Sequence, residues 1–513
     1  MTRRPRTRTP APPPVDAFGL GQTHGPRAGR RVLSDDQRAT LCSRALTLLA
    51  EHGVVIRHPA VRAALDRAGA IAGAGSDRLR LPVGMVRDAL DATPKAVRLA
   101  GKSRARDITL PRADGGFVMR TGTGAHGYVD PATARYRNMD LAAVDQIAAL
   151  GERLDQVGFL AHPFVHGVPE KTADIHGFAR LIARTTKHVW MQPYQRPNIG
   201  YLMRIAAVAA GGEAALRADP LTSAITCSFS PLEFKLMDSE VMIQAGRFGV
   251  PLHACALPSG GGTAPLSVAG TALMAVAEIV AMVTLAHHVA PGLPVIATPL
   301  IFTLDMATGA ALMASPEAVQ GAALAVEVLG HGFGLVTHSY GMGSDTPDAD
   351  VQSMIERALL GQSVALAGAD ILGGVGQLQA ATVFSPVQAV LDDQIGAMLR
   401  RMIQPPAIDT DALNWAAMTR VAAGGHFLDD PHTLAHCRDA LAPGVFLRHN
   451  RDGYEASARR TAFDAAREAA LAAIASTPEA GYLSADQMRE IAALVDHADA
   501  HVADAFGGVE ATI

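Results

Sequence analysis

From residue 116 onward, short apolar runs alternate with longer stretches whose apolar positions recur at helical spacing. The runs are FVMRTG (117–122), VGFLAHPF (157–164), HVWMQPY (188–194), TSAITCS (222–228), VPLHACAL (250–257), LPVIATPL (293–300), FGLVTHSY (333–340) and ADILGGVG (369–376). Helix-like segments lie between them, among others at 140–154, 174–185, 239–248, 316–329 and 351–366. Strand and helix in turn predict parallel β/α architecture, because parallel strands need a crossover long enough to hold a helix. Eight such runs fit a TIM (β/α)8 barrel better than a doubly wound open sheet, which periodicity alone leaves open.

Upstream, Ser34 precedes Asp35 and Asp36, a helix start with acids in its first turn. Helical spacing covers 35–70 and returns at 85–93. After Met402 the strand patterns stop, and Ala-rich helical faces follow at 456–475 and 484–503. The chain therefore divides into a basic, Pro-rich tail expected to be disordered (1–30), an N-terminal helical cap (31–105), a barrel (106–403) and a C-terminal helical extension (404–513).

Composition narrows the class. With 49% hydrophobic and 18% charged residues, the chain can bury a large core. A net charge of -4 without a basic stripe argues against nucleic acid as a partner. Four cysteines without CxxC spacing point to a reducing compartment, the cytoplasm. The N-terminal arginines are not followed by an apolar core, so a secretory or twin-arginine signal is not expected. The stretch 267–288 is apolar enough to cross a membrane, but Glu278 sits midway. A carboxylate at mid-bilayer is costly, so a buried helix is expected and no membrane partner.

Several motifs carry chemistry. Gly122 to Gly127 match GxGxxG but run on into Tyr128-Val-Asp-Pro, so a tight loop over the barrel is expected rather than a dinucleotide fingerprint. The glycines after Ser259 expose N–H groups that suit a carboxylate or phosphate, or they form a flexible loop. SDTPDAD (344–350) lacks the calcium-loop pattern, and Asp348 or Asp350 suits a helix cap. His426, His432 and His436 allow a zinc-hydrolase reading, but without HExxH or a Cys ligand they suit structural roles better, and no metal is expected. His162, His253 and His338 lie within strand runs, while Tyr194 and Tyr340 end theirs. Strand ends of a barrel face its active site, where aromatic rings could face a quaternary ammonium.

The stretches LLAEHGVVIRHPAVRAALDRAGA, RTGTGA, SPLEF, GGGTAPLSVAG, AEIVAM, LDMATGAALMASPE, ALAGADILGGVG, VFSPVQAVLDDQIGAM and VAAGGHFLDDPHTLAHCR, in this order, resemble the trimethylamine methyltransferase (MttB-like) family over roughly 35–480. The resemblance implies a TIM barrel that moves a methyl group from a small methylated amine to the Co(I) of a corrinoid protein. It also implies no tightly bound cofactor and a homo-oligomer. Founding members carry pyrrolysine in the loop matching 344–352, where this chain has only ordinary residues. The non-pyrrolysine branch, which includes glycine betaine methyltransferase, makes a quaternary amine the better substrate expectation. By motif, Asp305 and Asp345 are expected to be catalytic, and His338 joins them from its place within a strand run. Thr121, Gly122, Tyr194, Gly260, Gly261, Thr263, Tyr340 and Gln379 are expected to bind substrate. Gln379 departs from the Glu common in relatives. Methyl transfer to tetrahydrofolate and an inactive methylamine-binding barrel are the alternatives. The methanogenesis attached to this family is not readable from the residues.

Overall fold

The computed structural model describes residues 32–73, 77–442, 444–476 and 481–505. The basic tail expected over 1–30 lies outside the described residues. Each of the eight apolar runs forms one barrel strand. They are β1 (Val118–Thr121), β2 (Val157–Ala161), β3 (His188–Met191), β4 (Thr222–Cys227), β5 (Leu252–Ala256), β6 (Val295–Pro299), β7 (Val336–Tyr340) and β8 (Ile371–Val375). All pair in parallel in chain order, and β8 closes on β1 through Ile371↔Val118 and Leu372↔Met119. Both faces of these strands are buried, which explains why the runs are apolar throughout rather than alternating.

A helix follows each strand: α4 (Leu141–Arg153), α5 (Ala173–Arg184), α6 (Ile199–Ala210), α7 (Leu236–Phe248), α8 (Val268–Val289), α9 (Pro316–Glu327), α10 (Val351–Leu366) and α11 (Pro386–Ile403). Side-chain oxygens of Asp140, Ser315, Asp350 and Ser385 accept from the first-turn N–H groups of α4, α9, α10 and α11. Helix α8 is long and apolar enough to span a membrane, but most of it is packed inside the protein. Its Glu278 is wholly buried and accepts from Ser228 Oγ (2.7 Å), Ser230 Oγ (2.8 Å) and Leu232 N (2.8 Å). The acid in the apolar run thus ties down the loop after β4.

The N-terminal cap holds the expected helices α1 (Asp35–Glu51), α2 (Pro59–Arg67) and α3 (Val83–Ala92), which pack on α8. Ser34 and Gln37 form the capping box of α1. The cap also contains strands Val54–Ile56, Ile71–Ala72 and Arg78–Arg80, joined in one sheet by Glu233–Phe234 from the barrel. Runs this short carry no readable periodicity. The hairpin Val97–Leu99 with Ile108–Leu110 plugs the N-terminal end of the barrel, where Ala100 N donates to Pro220 O and Lys102 N to Thr186 O.

Two small sheets stand at the opposite, C-terminal mouth. One joins Ser259–Gly260, Phe302–Leu304 and Ala311–Leu312. The other joins Gly127–Val129, Tyr136–Asn138, Gln377–Leu378 and Val383–Phe384. The GxGxxG stretch therefore enters a strand and opens no helix. The C-terminal extension ends in α12 (Ala462–Ala475), which packs on α11 and α4, and α13 (Ala485–Ala505), which packs on α5 and α6.

Candidate active site

Closure of the barrel turns alternate strand residues inward, and the inward set here includes buried histidines and an arginine beside Phe159 and Trp190. At the base, His188 Nδ1 faces the carbonyls of Ala100 (3.2 Å) and Pro220 (3.1 Å), so its proton is assigned there. Its Nε2 meets Ser223 Oγ (2.9 Å), which also meets His253 Nε2 (3.1 Å). Burial pulls the His188 pKa down to about 4 and that of His253 well below the ordinary value, so both rings are neutral.

Above them lies Arg120, fully buried on β1. Its Nε donates to His338 Nε2 (2.9 Å) and its Nη1 to Thr121 O (2.7 Å), while the guanidinium stacks 3.9 Å over Trp190. Among the described residues no carboxylate forms an ion pair with it, and its Nη2 has no hydrogen-bond partner. Burial lowers its pKa to about 9, which leaves a cation at neutral pH. His338, also on the inner wall, is pulled well below its ordinary value by burial and then by the charge of Arg120. Since Nε2 accepts from Arg120, Nδ1 carries the proton, and it has no partner.

Three more buried donors lack partners, one beside the guanidinium and two in a separate group that packs toward Phe178 of α5. Trp190 Nε1 has no acceptor. His162 accepts from Gln192 N at Nδ1 (3.3 Å), which leaves Nε2–H free. The Tyr194 hydroxyl is buried and unpartnered, with its ring 5.7 Å from His162 and 5.1 Å from Phe164. Gln377 Oε1 is the one unpartnered acceptor in this group. An unmet buried polar group costs about 1–3 kcal/mol, and Arg120 Nη2, His338 Nδ1 and Trp190 Nε1 are three such donors at one unpaired cation.

Glycines let this wall close. A Cβ on Gly122 would lie 2.0 Å from Gln377 Cγ, and one on Gly373 would lie 2.7 Å from His338 Nε2 and 2.8 Å from Arg120 Nη2. Gln377 Nε2 donates to Thr123 O (2.6 Å), and Thr123 Oγ1 donates to Gln192 Oε1 (2.6 Å). Toward the mouth, Tyr340 lies 6.0 Å from the guanidinium and meets Phe302 edge-on at 6.1 Å. Burial raises the pKa of both Tyr194 and Tyr340, so their hydroxyls stay protonated.

His338, Tyr340, Thr121 and the adjacent Gly122 lie around Arg120, although Thr121 contributes its carbonyl while its hydroxyl accepts from Ala161 N (2.9 Å), and Tyr194 packs with His162 and Phe164 instead. The other expected residues have different work. Both oxygens of Asp305 are used in its own exposed turn, by Ala307 N (2.9 Å) and Thr308 Oγ1 (2.7 Å), which hold its pKa down. Asp345 accepts from Met313 N (2.8 Å) and Ala314 N (3.0 Å), fastening the mouth sheet to the loop after β7; burial raises its pKa.

The 260–263 loop does not offer free N–H groups to a carboxylate. Gly261 N donates to Ala264 O, Gly262 N and Thr263 N donate to Ser259 O, and Thr263 Oγ1 accepts from Ser259 N. Gly260 contributes close packing instead: a Cβ there would lie 2.9 Å from Thr271 Oγ1. Gln379 is exposed on the rim at φ 49°, and the glutamine that reaches inward is Gln377.

Sequence reading missed Arg120, Trp190 and Gln377. The available signal was a charge inside the apolar run FVMRTG, where burial makes an arginine expensive unless it is used. Of the histidines in the extension, His432 and His436 converge with Asp411, their ligand atoms within 4.8 Å of one another, while His426 faces Asp429 (3.5 Å). That group is on the exposed extension, outside the barrel interior.

Known proteins share this sequence and fold. The sequence profile of the family described as trimethylamine methyltransferase (MTTB) matches residues 2–503. The trimethylamine methyltransferase MttB of Desulfitobacterium hafniense (strain DSM 10664 / DCB-2) is 27% identical over 467 residues, covering 91% of this chain and 92% of its own. MttB of Methanosarcina barkeri is 26% identical over 477 residues, covering 91% and 95%. A glycine betaine methyltransferase of D. hafniense (strain Y51) is 27% identical over 252 residues, covering 49% and 52%. Among solved structures, the hydroxylamine complex of MtmB superposes with a TM-score of 0.51 at 12% identity, covering 91% of each chain; that likeness concerns the fold.

Proposed function

The chain belongs to the trimethylamine methyltransferase family, and we propose on that premise that it demethylates a betaine, a quaternary amine that also bears a carboxylate, passing the methyl group to a corrinoid on a partner protein. The observation that carries the substrate reading is Arg120, a buried cation without a paired carboxylate among the described residues, with unsatisfied donors at its own Nη2, at His338 Nδ1 and at Trp190 Nε1. A substrate carboxylate answers both needs at once. A lone methylammonium answers neither, since two like charges about 5 Å apart repel by roughly 3 kcal/mol at an effective dielectric of 20.

With the carboxylate on Arg120, the ammonium end points to the mouth. There Tyr340 with Phe302, and Tyr194 with Phe164, offer ring faces to the cation. The methyl carbon is attacked in line, its bond to nitrogen breaks, and the electron pair leaves with a neutral tertiary amine. No proton has to be delivered, which suits an interior of neutral histidines. The chain's contribution is aim and exclusion of water.

The corrinoid would supply Co(I) as the methyl-accepting nucleophile. The exposed apolar side chains Phe229, Leu266 and Met306 beside the mouth suit a surface that receives its carrier. Four free thiols suit a cytoplasmic setting.

The test is methyl transfer to the cognate corrinoid protein in the Co(I) state, followed by loss of Co(I) absorbance, across a panel of betaines, trimethylamine and tetramethylammonium. Turnover of a betaine with little response to the carboxylate-free amines is expected. Faster turnover of trimethylamine would overturn the substrate reading.

A further inference from the structure

Between α11 and α12 the chain forms an arm with three short helices, Thr410–Leu413, Trp415–Arg420 and Pro431–His436. Within these helices Ala417 alone is buried, so apolar packing does little to hold them together. A carboxylate does part of that work. Asp430 is only 5% exposed and caps the third helix by accepting from His432 N (3.0 Å). It also accepts from Asn414 Nδ2 (3.1 Å), at the end of the first helix, and from Arg420 Nη2 of the second. The three helices meet at this one group, which brings Asp411 of the first beside His432 and His436 of the third.

His432 and His436 stand one helical turn apart, with ring centroids 4.3 Å from each other. One ligand atom from each of Asp411, His432 and His436 lies within 4.8 Å of the other two. His436 is already aimed. Its Nδ1 donates to Asp439 Oδ2 (2.7 Å), so its Nε2 lone pair faces the Asp411 carboxylate at 3.8 Å. That distance is too long for a hydrogen bond and leaves two acceptors facing each other across a gap. A carboxylate on the far nitrogen is also what orients a histidine that binds metal. Ligand atoms around a tetrahedral zinc stand about 3.4 Å apart, so rotations of about 1 Å in these exposed or half-buried side chains close the set.

We propose that Asp411, His432 and His436 form a zinc site that clips the third helix of the arm to the first, with water in the fourth position. Two imidazole nitrogens favour a transition metal over Mg2+ or Ca2+, which take oxygen. The clip supplies order that a single buried alanine does not. In the sequence these histidines suit metal-free structural roles, because neither HExxH nor a Cys ligand accompanies them. The third ligand comes from a separate helix, and it is Asp411 rather than His426. This inference does not depend on the substrate reading, since the site lies outside the barrel.

Calorimetric titration of Zn2+ into the untagged, chelator-treated full-length protein tests it, read beside amide exchange. The wild type is expected to take up one Zn2+ per chain with micromolar or tighter affinity, and exchange over 410–436 should slow as it binds. His432→Gln/His436→Gln should lose both effects. Asp439→Asn should weaken binding about 10- to 100-fold, and Asp411→Asn by more. Melting of the zinc-free arm variants should match the wild type, so lost binding would not reflect lost folding. His497→Gln breaks the other helical histidine pair, whose rings with His501 stack at 4.0 Å, and should change neither result. Zinc uptake that survives the double histidine change, or that depends on His497 instead, would overturn the proposal. So would a wild type that takes up no zinc at micromolar concentrations, or zinc that binds without slowing exchange in the arm.

Discussion

Replacing Arg120 with Met separates what this residue does for the fold from what it does for substrate. The guanidinium is wholly buried, makes two hydrogen bonds and one stacking contact, and has no paired acid among the described residues. Exchanging a buried, uncompensated charge for an apolar side chain of similar length is neutral or stabilising. Arg120→Met should therefore melt no lower than the wild type. For a betaine the same change removes a charge-assisted pair, worth about 2–5 kcal/mol, and kcat/KM should fall about 30- to 5,000-fold. For a carboxylate-free ammonium the change removes repulsion of roughly 3 kcal/mol, so its turnover should rise, at most about 100-fold. Arg120→Lys keeps the charge without the planar fork and should fall between. The assay is Co(I) loss with each substrate class, read beside thermal melts. A variant that melts lower and loses both substrate classes equally would refute the reasoning, because Arg120 would then be a structural cation.

Three further outcomes follow from the geometry. His188, pulled from 6.5 in the unfolded chain to about 4, contributes stability that is complete above pH 6.5 and is lost as the pH falls through 4. That gap corresponds to about 3 kcal/mol. His188→Gln should narrow the difference between urea stabilities at pH 7 and pH 4, and parallel pH curves for the two proteins would contradict it. Gly122→Ala places a Cβ 2.0 Å from the middle of the Gln377 side chain, so it should cost about 1–3 kcal/mol by overpacking and slow methyl transfer. Unchanged melting and rate would show that Gln377 moves aside freely. Asp345→Ala frees Met313 N and Ala314 N, so amide exchange should quicken over 311–314 while the barrel strands stay protected. Uniform loss of protection would place Asp345 in the global core instead.

The barrel was legible in the chain because its signal is local. Parallel strands covered on both faces must be apolar throughout, crossover helices must show a helical period, and both patterns are written residue by residue. Ser34 and Asp350 were readable for the same reason, since a cap has its meaning within a few positions; the acid within 267–288 marked a buried helix, but its partners Ser228, Ser230 and Leu232 lie far along the chain. The short cap strands were not, since three residues hold no period and need Glu233–Phe234 from far along the chain to form a sheet.

The candidate site was legible only in part. Position within a strand run marked His338, and position at a strand's end marked Tyr194 and Tyr340. Motif resemblance marked Asp305, Asp345, Gly260, Gly261, Thr263 and Gln379, which the structure uses in turns, packing, loop anchorage or the rim. Motifs preserve the scaffolding of a mouth as readily as its chemistry, and a sequence does not distinguish them. What only the tertiary structure decided is that Arg120, Trp190, His338 and Gln377, from four separate strands, share one interior in which, among the described residues, a cation lacks an acid and donors lack acceptors. Lack of a partner is a property of a closed volume: it exists only once the strands have met and every other group has found its own.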